Sequence, residues 1–140
     1  MRSCLALVLA VALAGPAVAA MATRDLGFGE ARLMVEVARD PDDRQRGLME
    51  RAALGEAAGM LFVFPVAGRH CLWMKNTPLP LSAAFLDDDG RVVNLVDLTP
   101  HDLTVKCASR PARYAVEANQ GWFARHGVQP GDRVAGLPAD

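Results

Sequence analysis

A chain of 140 residues has room for one domain and no more. Its 15 Lys and Arg stand against 16 Asp and Glu, a formal net charge of −1, which argues against the basic face that nucleic acid requires. Three cysteines and three histidines are too few and too scattered for a compact metal motif.

The chain opens with the pattern of a secretory signal over Met1 to Ala20. Arg2 gives the positive start, Leu5 to Ala14 the apolar core, and Ala17-Val18-Ala19 the small-x-small cleavage site. The apolar run is too short for a transmembrane helix. Cys4 lies ahead of that core, not at its cleavage end, so it is not read as a lipid-anchor cysteine. The expected destination is the periplasm or the exterior, with no membrane span after cleavage. The remaining chain, about 120 residues, can bury a core unaided. Cys71 and Cys107 are then its only cysteines. An even count in an oxidising compartment predicts a disulfide between them, closing a loop of about 37 residues.

Met21 to Glu30, with two glycines and mixed charge, reads as a poorly ordered lead, and residues 31–140 as the single domain. Ala31 to Ala38 alternates as a strand, with Leu33, Val35 and Val37 on one face. Asp40-Pro41-Asp42-Asp43 starts a helix: Asp40 can cap, Pro41 suits the first helical position, and acids favour the positive end of the dipole. That helix is expected to reach Met49 or Arg51, with Gly47 inside it. Met60 to Phe64, apolar on both faces between Gly59 and Pro65, predicts a central strand.

His70 to Asn76 reads as a further strand. Alternation puts His70, Leu72, Met74 and Asn76 on one face and Cys71, Trp73 and Lys75 on the other. Both faces carry apolar groups, so the second is covered by protein or faces a ligand. Pro78 and Pro80 then take the chain out of the sheet. Leu81 to Asp87 and Arg91 to Leu98 form a hairpin around Asp89-Gly90. Thr99 to Pro111 is a long polar connection. Ala112 to Ala118 is a strand with Tyr114 and Val116 inward. A short helix runs to His126 and stops at Gly127, and Asp132 to Ala135 closes the chain as a last strand. The sum is a mainly β fold, an antiparallel sandwich or barrel with two short helices.

Several blocks stand together in a specific order. They are Asp43-Arg44-Gln45-Arg46-Gly47-Leu48-Met49-Glu50-Arg51, Gly59-Met60-Leu61-Phe62-Val63-Phe64-Pro65, and Trp73-Met74-Lys75-Asn76-Thr77 with Pro80-Leu81 and Phe85. Arg113-Tyr114-Ala115-Val116-Glu117-Ala118-Asn119 with Gly121, and Gly131-Asp132, complete the series. The series resembles the DUF192 family of small bacterial and archaeal domains. The resemblance implies a jelly-roll-like sandwich, often exported, without an established activity. The family usually carries Asp where this chain has Ser82, which can replace its hydrogen bonds but not its charge.

Four chemistries compete. Arg46, Lys75, Asn76, Glu117 and Asn119, walled by Trp73, could hold an anionic or sugar-like ligand; the same groups could equally be an internal network orienting the first helix. Lys75 and Glu117 could serve an enzyme of unknown reaction as its polar pair. His70, Cys71, His101 and Cys107 offer zinc or copper ligand types, but His70 and Cys71 point to opposite strand faces. Ser82 lacks a nucleophile elbow. The leading expectation is therefore an exported module that binds a small ligand or protein partner through the Trp73–Asn76 region, with no cofactor and no metal.

Overall fold

The computed structural model describes residues 20–139 together with Gly15. The leader expected over Met1 to Ala20 lies, apart from Gly15 and Ala20, outside them. Nine strands and two short helices follow: β1 (Thr23–Phe28), β2 (Ala31–Ala38), α1 (Pro41–Arg46), β3 (Ala58–Gly68), β4 (Cys71–Leu72), β5 (Leu81–Leu86), β6 (Val92–Leu98), β7 (Lys106–Cys107), β8 (Ala112–Asn119), α2 (Trp122–Arg125) and β9 (Val134–Ala135). Seven strands form one sheet in the order β6-β5-β8-β3-β2-β1-β9, and β4 and β7 form a second, small one. Among the described residues no helix is long and apolar enough to cross a membrane.

The large sheet curls into a half-barrel. Its two end strands come together at one point: Arg91 and Arg133 bridge, Val92 N–H donates to the Asp132 carbonyl at 2.9 Å, and Val134 N–H donates to the Gly90 carbonyl at 2.8 Å. The barrel-like form of the expected fold is the one adopted. Its ladders are antiparallel except β2–β3, which runs parallel from Met34↔Ala58 to Ala38↔Phe62.

Strand alternation sends side chains to two separate cores. The concave core gathers Leu26, Leu33, Val35, Leu61, Val63, Tyr114 and Val116. Trp122 and Phe123 of α2 plug it, meeting Phe28 edge-on at centroid distances of 5.4 and 5.5 Å. The convex face carries Met60, Phe62 and Phe64 of β3, Leu81, Ala83 and Phe85 of β5, and Ala115 of β8. Each large apolar side chain buried is worth about 1.5–3 kcal/mol, so this second face also demands a cover. The segment after α1 supplies one through Leu48, and residues 69–80 with 99–108 supply another through Leu72, Met74, Leu79 and Ala108. We call the latter the flap.

Three expectations are corrected. Residues 23–28 are strand β1, paired with both β2 and β9, because Leu26 and Phe28 belong to the concave core. Helix α1 stops at Arg46 because Gly47 adopts φ 49°, a left-handed conformation open to glycine. The strand expected from His70 to Asn76 shrinks to Cys71–Leu72, since the chain turns at Lys75 and Asn76, the latter at φ 52°. Cys71 therefore lies in the small sheet, while β3, which holds the Met60 to Phe64 run expected as the central strand, is central in the large one. The alternation survives in burial even so: Leu72 and Met74 are buried, while Cys71, Trp73 and Lys75 are exposed.

The flap is pinned in two ways. Met74 N–H donates to the Asp102 carbonyl at 2.9 Å and His101 N–H to the Thr77 carbonyl at 3.1 Å. Cys71 and Cys107, directly opposed in the β4–β7 ladder, form a disulfide with Cα atoms 3.9 Å apart, across 36 positions of sequence. Replacing both cysteines with alanine is expected to lower the unfolding free energy by about 3–4 kcal/mol in denaturant melts. A double variant as stable as the parent would show that packing alone holds the flap.

Candidate functional site

The seam between the two covers is an open cleft of about 380 Å³. Arg44, Gln45 and Arg46 of α1 form one wall, Leu72 and Trp73 of the flap the other, and Phe62, Phe64 and Glu117 the floor. Gly47 lets α1 approach that floor: a Cβ there would lie 3.2 Å from the Phe62 ring. Beneath it, β3 and β8 come unusually close, since a Cβ at Gly59 would meet the Glu117 carbonyl oxygen at 2.3 Å.

Glu117 is the unusual group. It sits on β8 opposite Met60 and Ala83, on the convex face, and is 4 % exposed. Its carboxyl forms no hydrogen bond or ion pair among the described residues. Burial alone pushes its pKa up, to about 8. The carboxyl is nonetheless not sealed in: no side-chain oxygen or nitrogen among the described residues is both enclosed and without a partner. Its open side is the cleft.

The arginines above it are differently placed. Arg44 donates to the Arg39 carbonyl and, at 3.3 Å, to the Val63 carbonyl, which ties α1 to β3. Among the described residues Arg46 makes one ion pair, a solvent-exposed one with Glu50 at 3.8 Å, worth little in water. Arg51, after the helix, pairs in bidentate fashion with Glu36, one contact at 2.9 Å, and that hydrogen bonding raises the Arg51 pKa. Trp73 stays 39 % exposed. Thr77, buried beside the cleft, donates through Oγ1 to the Lys75 carbonyl at 3.0 Å.

The six residues expected to bind a ligand divide three ways. Arg46, Trp73 and Glu117 line the cleft. Lys75 and Asn76 line an adjoining recess of about 290 Å³ that shares Gln45, Arg46 and Met49 with it. Lys75 Nζ stands 5.3 Å from the centre of the Trp73 ring, and the Asn76 carbonyl accepts from Glu50 N–H at 2.7 Å. Asn119 is a brace: its amide donates to the carbonyls of Leu54 and Gly55, both at 3.0 Å. Lys75 and Glu117 thus line separate but adjoining recesses.

The expected networks elsewhere resolve plainly. The Cys/His metal alternative is overturned, because Cys71 and Cys107 are bonded to each other and His70 stacks on Phe64 at 3.8 Å. Among the described residues no three of His, Cys, Asp and Glu converge as metal ligands. Ser82 faces away from the cleft. It donates to Asp97 at 2.7 Å and accepts from Gly121 N–H at 3.0 Å, so the departure from the family's Asp falls on the side of the sheet opposite Glu117. Sequence reasoning omitted Arg44, Gln45 and Thr77 from the site. Reading Gly47 as a helix stop would have placed the two arginines and Gln45 together on one short turn.

Glu117 should leave a mark on stability. The folded protein holds it protonated up to about pH 8, while the unfolded chain releases that proton near its ordinary 4.5. Between those values the folded state binds more protons, so its stability falls as pH rises, by about 1.4 kcal/mol per unit, and the loss levels off above the folded value. Glu117→Gln is expected to remove this slope. Urea melts of parent and variant from pH 5 to 9 check it; a difference between them that stays constant with pH would contradict it.

Similarity to known proteins agrees with this architecture. A solved structure from Sinorhizobium meliloti 1021, provisionally described as a transcription regulator, is 35 % identical over 85 % of this chain and 97 % of that one, with a TM-score of 0.80. A protein of unknown function from Novosphingobium aromaticivorans DSM 12444 is 34 % identical over 80 % and 82 % of the two chains, with a TM-score of 0.73. No curated protein matches. The model of the DUF192 family (Uncharacterized ACR) matches residues 24–136, from the first strand of the half-barrel to the last, and the chain belongs to that family.

Proposed function

We propose that this protein is an exported binding module that takes a small ligand in the cleft between α1 and the flap. Glu117 recognises the ligand from the floor, Arg46 from the rim, and Trp73 supplies an open aromatic wall. The carrying observation is the buried Glu117 carboxyl, without a partner among the described residues, at the base of an open cleft. A buried polar group without a partner costs about 1–3 kcal/mol, a penalty that a bound ligand would relieve. The concave shape, near the lower end of the usual ligand-pocket range, favours a small molecule over a protein surface. The regulator description given to the Sinorhizobium protein gains no support here, since the net charge of −1 offers no basic surplus for phosphates.

The raised Glu117 pKa favours one second reading, an acid–base catalyst with Glu117 as proton donor. A single experiment serves both. Protein recovered from the periplasmic fraction is first weighed by mass spectrometry; loss of the segment up to about Ala20 is expected, and an intact Met1 would refute cleavage of the leader. A melting screen against small metabolites, glycans and metals follows, because specific binding raises apparent stability. A stabilising compound whose effect disappears in Trp73→Ala and Glu117→Ala supports the binding module. Consumption of that compound would move the assignment to catalysis, and no stabilisation by any compound would refute the site.

A further inference from the structure

Resting on that reading of the cleft, we infer that its occupant is a small carboxylate with a short apolar tail, gripped between the Glu117 carboxyl and the Arg46 guanidinium. Three observations converge. The charged residues lining the cleft are Arg44, Arg46 and Glu117. Burial keeps Glu117 neutral at ordinary pH, leaving two cations and no resident anion. A neutral carboxyl is a hydrogen-bond donor, and Glu117 has no acceptor among the described residues, so it lacks an oxygen such as a carboxylate would bring. Hydrogen bonds of this charge-assisted kind are roughly twice as strong as neutral ones. The rest of the floor, Phe62 and Phe64, with Leu72 on the wall beside it, suits hydrocarbon and not a fully hydrated ion.

The competing ligand chemistries fit less well. An ammonium ion would meet two guanidinium groups and would require Glu117 to ionise against its burial. A phosphate would satisfy the arginines but leave the apolar floor facing a doubly charged group. A sugar would make no use of the solvent-exposed Arg46 charge.

The other charges near the cleft do not cancel the arginines. Glu50 pairs with Arg46 from the exposed side at 3.8 Å. Asp42 and Lys75 lie in the adjoining recess. On β8 itself Arg113 donates to the Phe64 carbonyl and stands 3.9 Å from Asp88, while His70 lies behind Phe64, stacked on its ring. The carboxylate would therefore bind together with the Glu117 proton. Its affinity should hold below the titration of that group and fall about tenfold per pH unit above it.

The test is an NMR titration of the isotopically labelled protein, read at the Trp73 indole and the Gly47 amide. Sodium butyrate, sodium phosphate, butylammonium chloride and glucose are compared at pH 6 and pH 9.5, at constant ionic strength. Butyrate is expected to saturate both signals at pH 6 and to lose at least tenfold in affinity at pH 9.5. Arg46→Gln should weaken it several-fold at both pH values. Glu117→Gln, which keeps a donor, should retain binding at pH 6 and abolish the pH dependence. Preference for phosphate, butylammonium or glucose would overturn the carboxylate assignment while leaving the cleft a binding site. Silence from all four probes at tens of millimolar would overturn both.

Discussion

The constraint that shapes this domain is a sheet that is apolar on both faces. In β3, Leu61 and Val63 point into the concave core while Met60, Phe62 and Phe64 point out of it. A curled sheet closes over the first set with one short helix as a plug. Nothing in the curl covers the second set, and exposed aromatic rings at the centre of a sheet are costly. The chain meets that demand with two separate pieces, α1 with its following loop and the disulfide-stapled flap. Because the pieces come from different parts of the sequence, they meet at a seam. The cleft is that seam.

Glu117 gains its character from the same geometry. β8 lies between β3 and β5, so a side chain on its convex face is enclosed by their neighbours before any cover arrives. A carboxylate there without a counter-ion would carry a heavy desolvation penalty, and protonation is the cheaper state. Arg44 is spent on backbone carbonyls and Arg46 faces solvent, so neither neutralises it from within. An acid held neutral therefore stands at the edge of an open space, below two cations.

Much of the fold was legible because periodicity and punctuation agree with it. The Asp89-Gly90 hairpin, the inward Tyr114 and Val116, the helix stop at Gly127 and the all-apolar centre of β3 each follow from local chemistry, while the Cys71–Cys107 bond follows from the cysteine count. The misreadings came from long-range pairing. The lead before Glu30 looked too glycine-rich for order, yet it is held by ladders to β2 and to β9, more than a hundred residues away. The strand around Trp73 alternated correctly but found only a two-residue partner, β7, in a segment without apolar rhythm. The site was legible in part for the same reason. Arg46, Trp73 and Glu117 could be named, whereas their separation from Lys75, and the bracing role of Asn119, depend on how the covers dock.

The character of the cleft depends on the protonation state of one buried carboxyl. Its side-chain carbon can be followed by NMR through a pH titration of the folded protein, with Glu117→Gln fixing the assignment of the signal. A midpoint near 8 is the result the structure predicts. A midpoint near 4.5, the ordinary value for glutamate, would mean that Glu117 is solvated or paired, and would remove the basis for the cleft as a site of recognition.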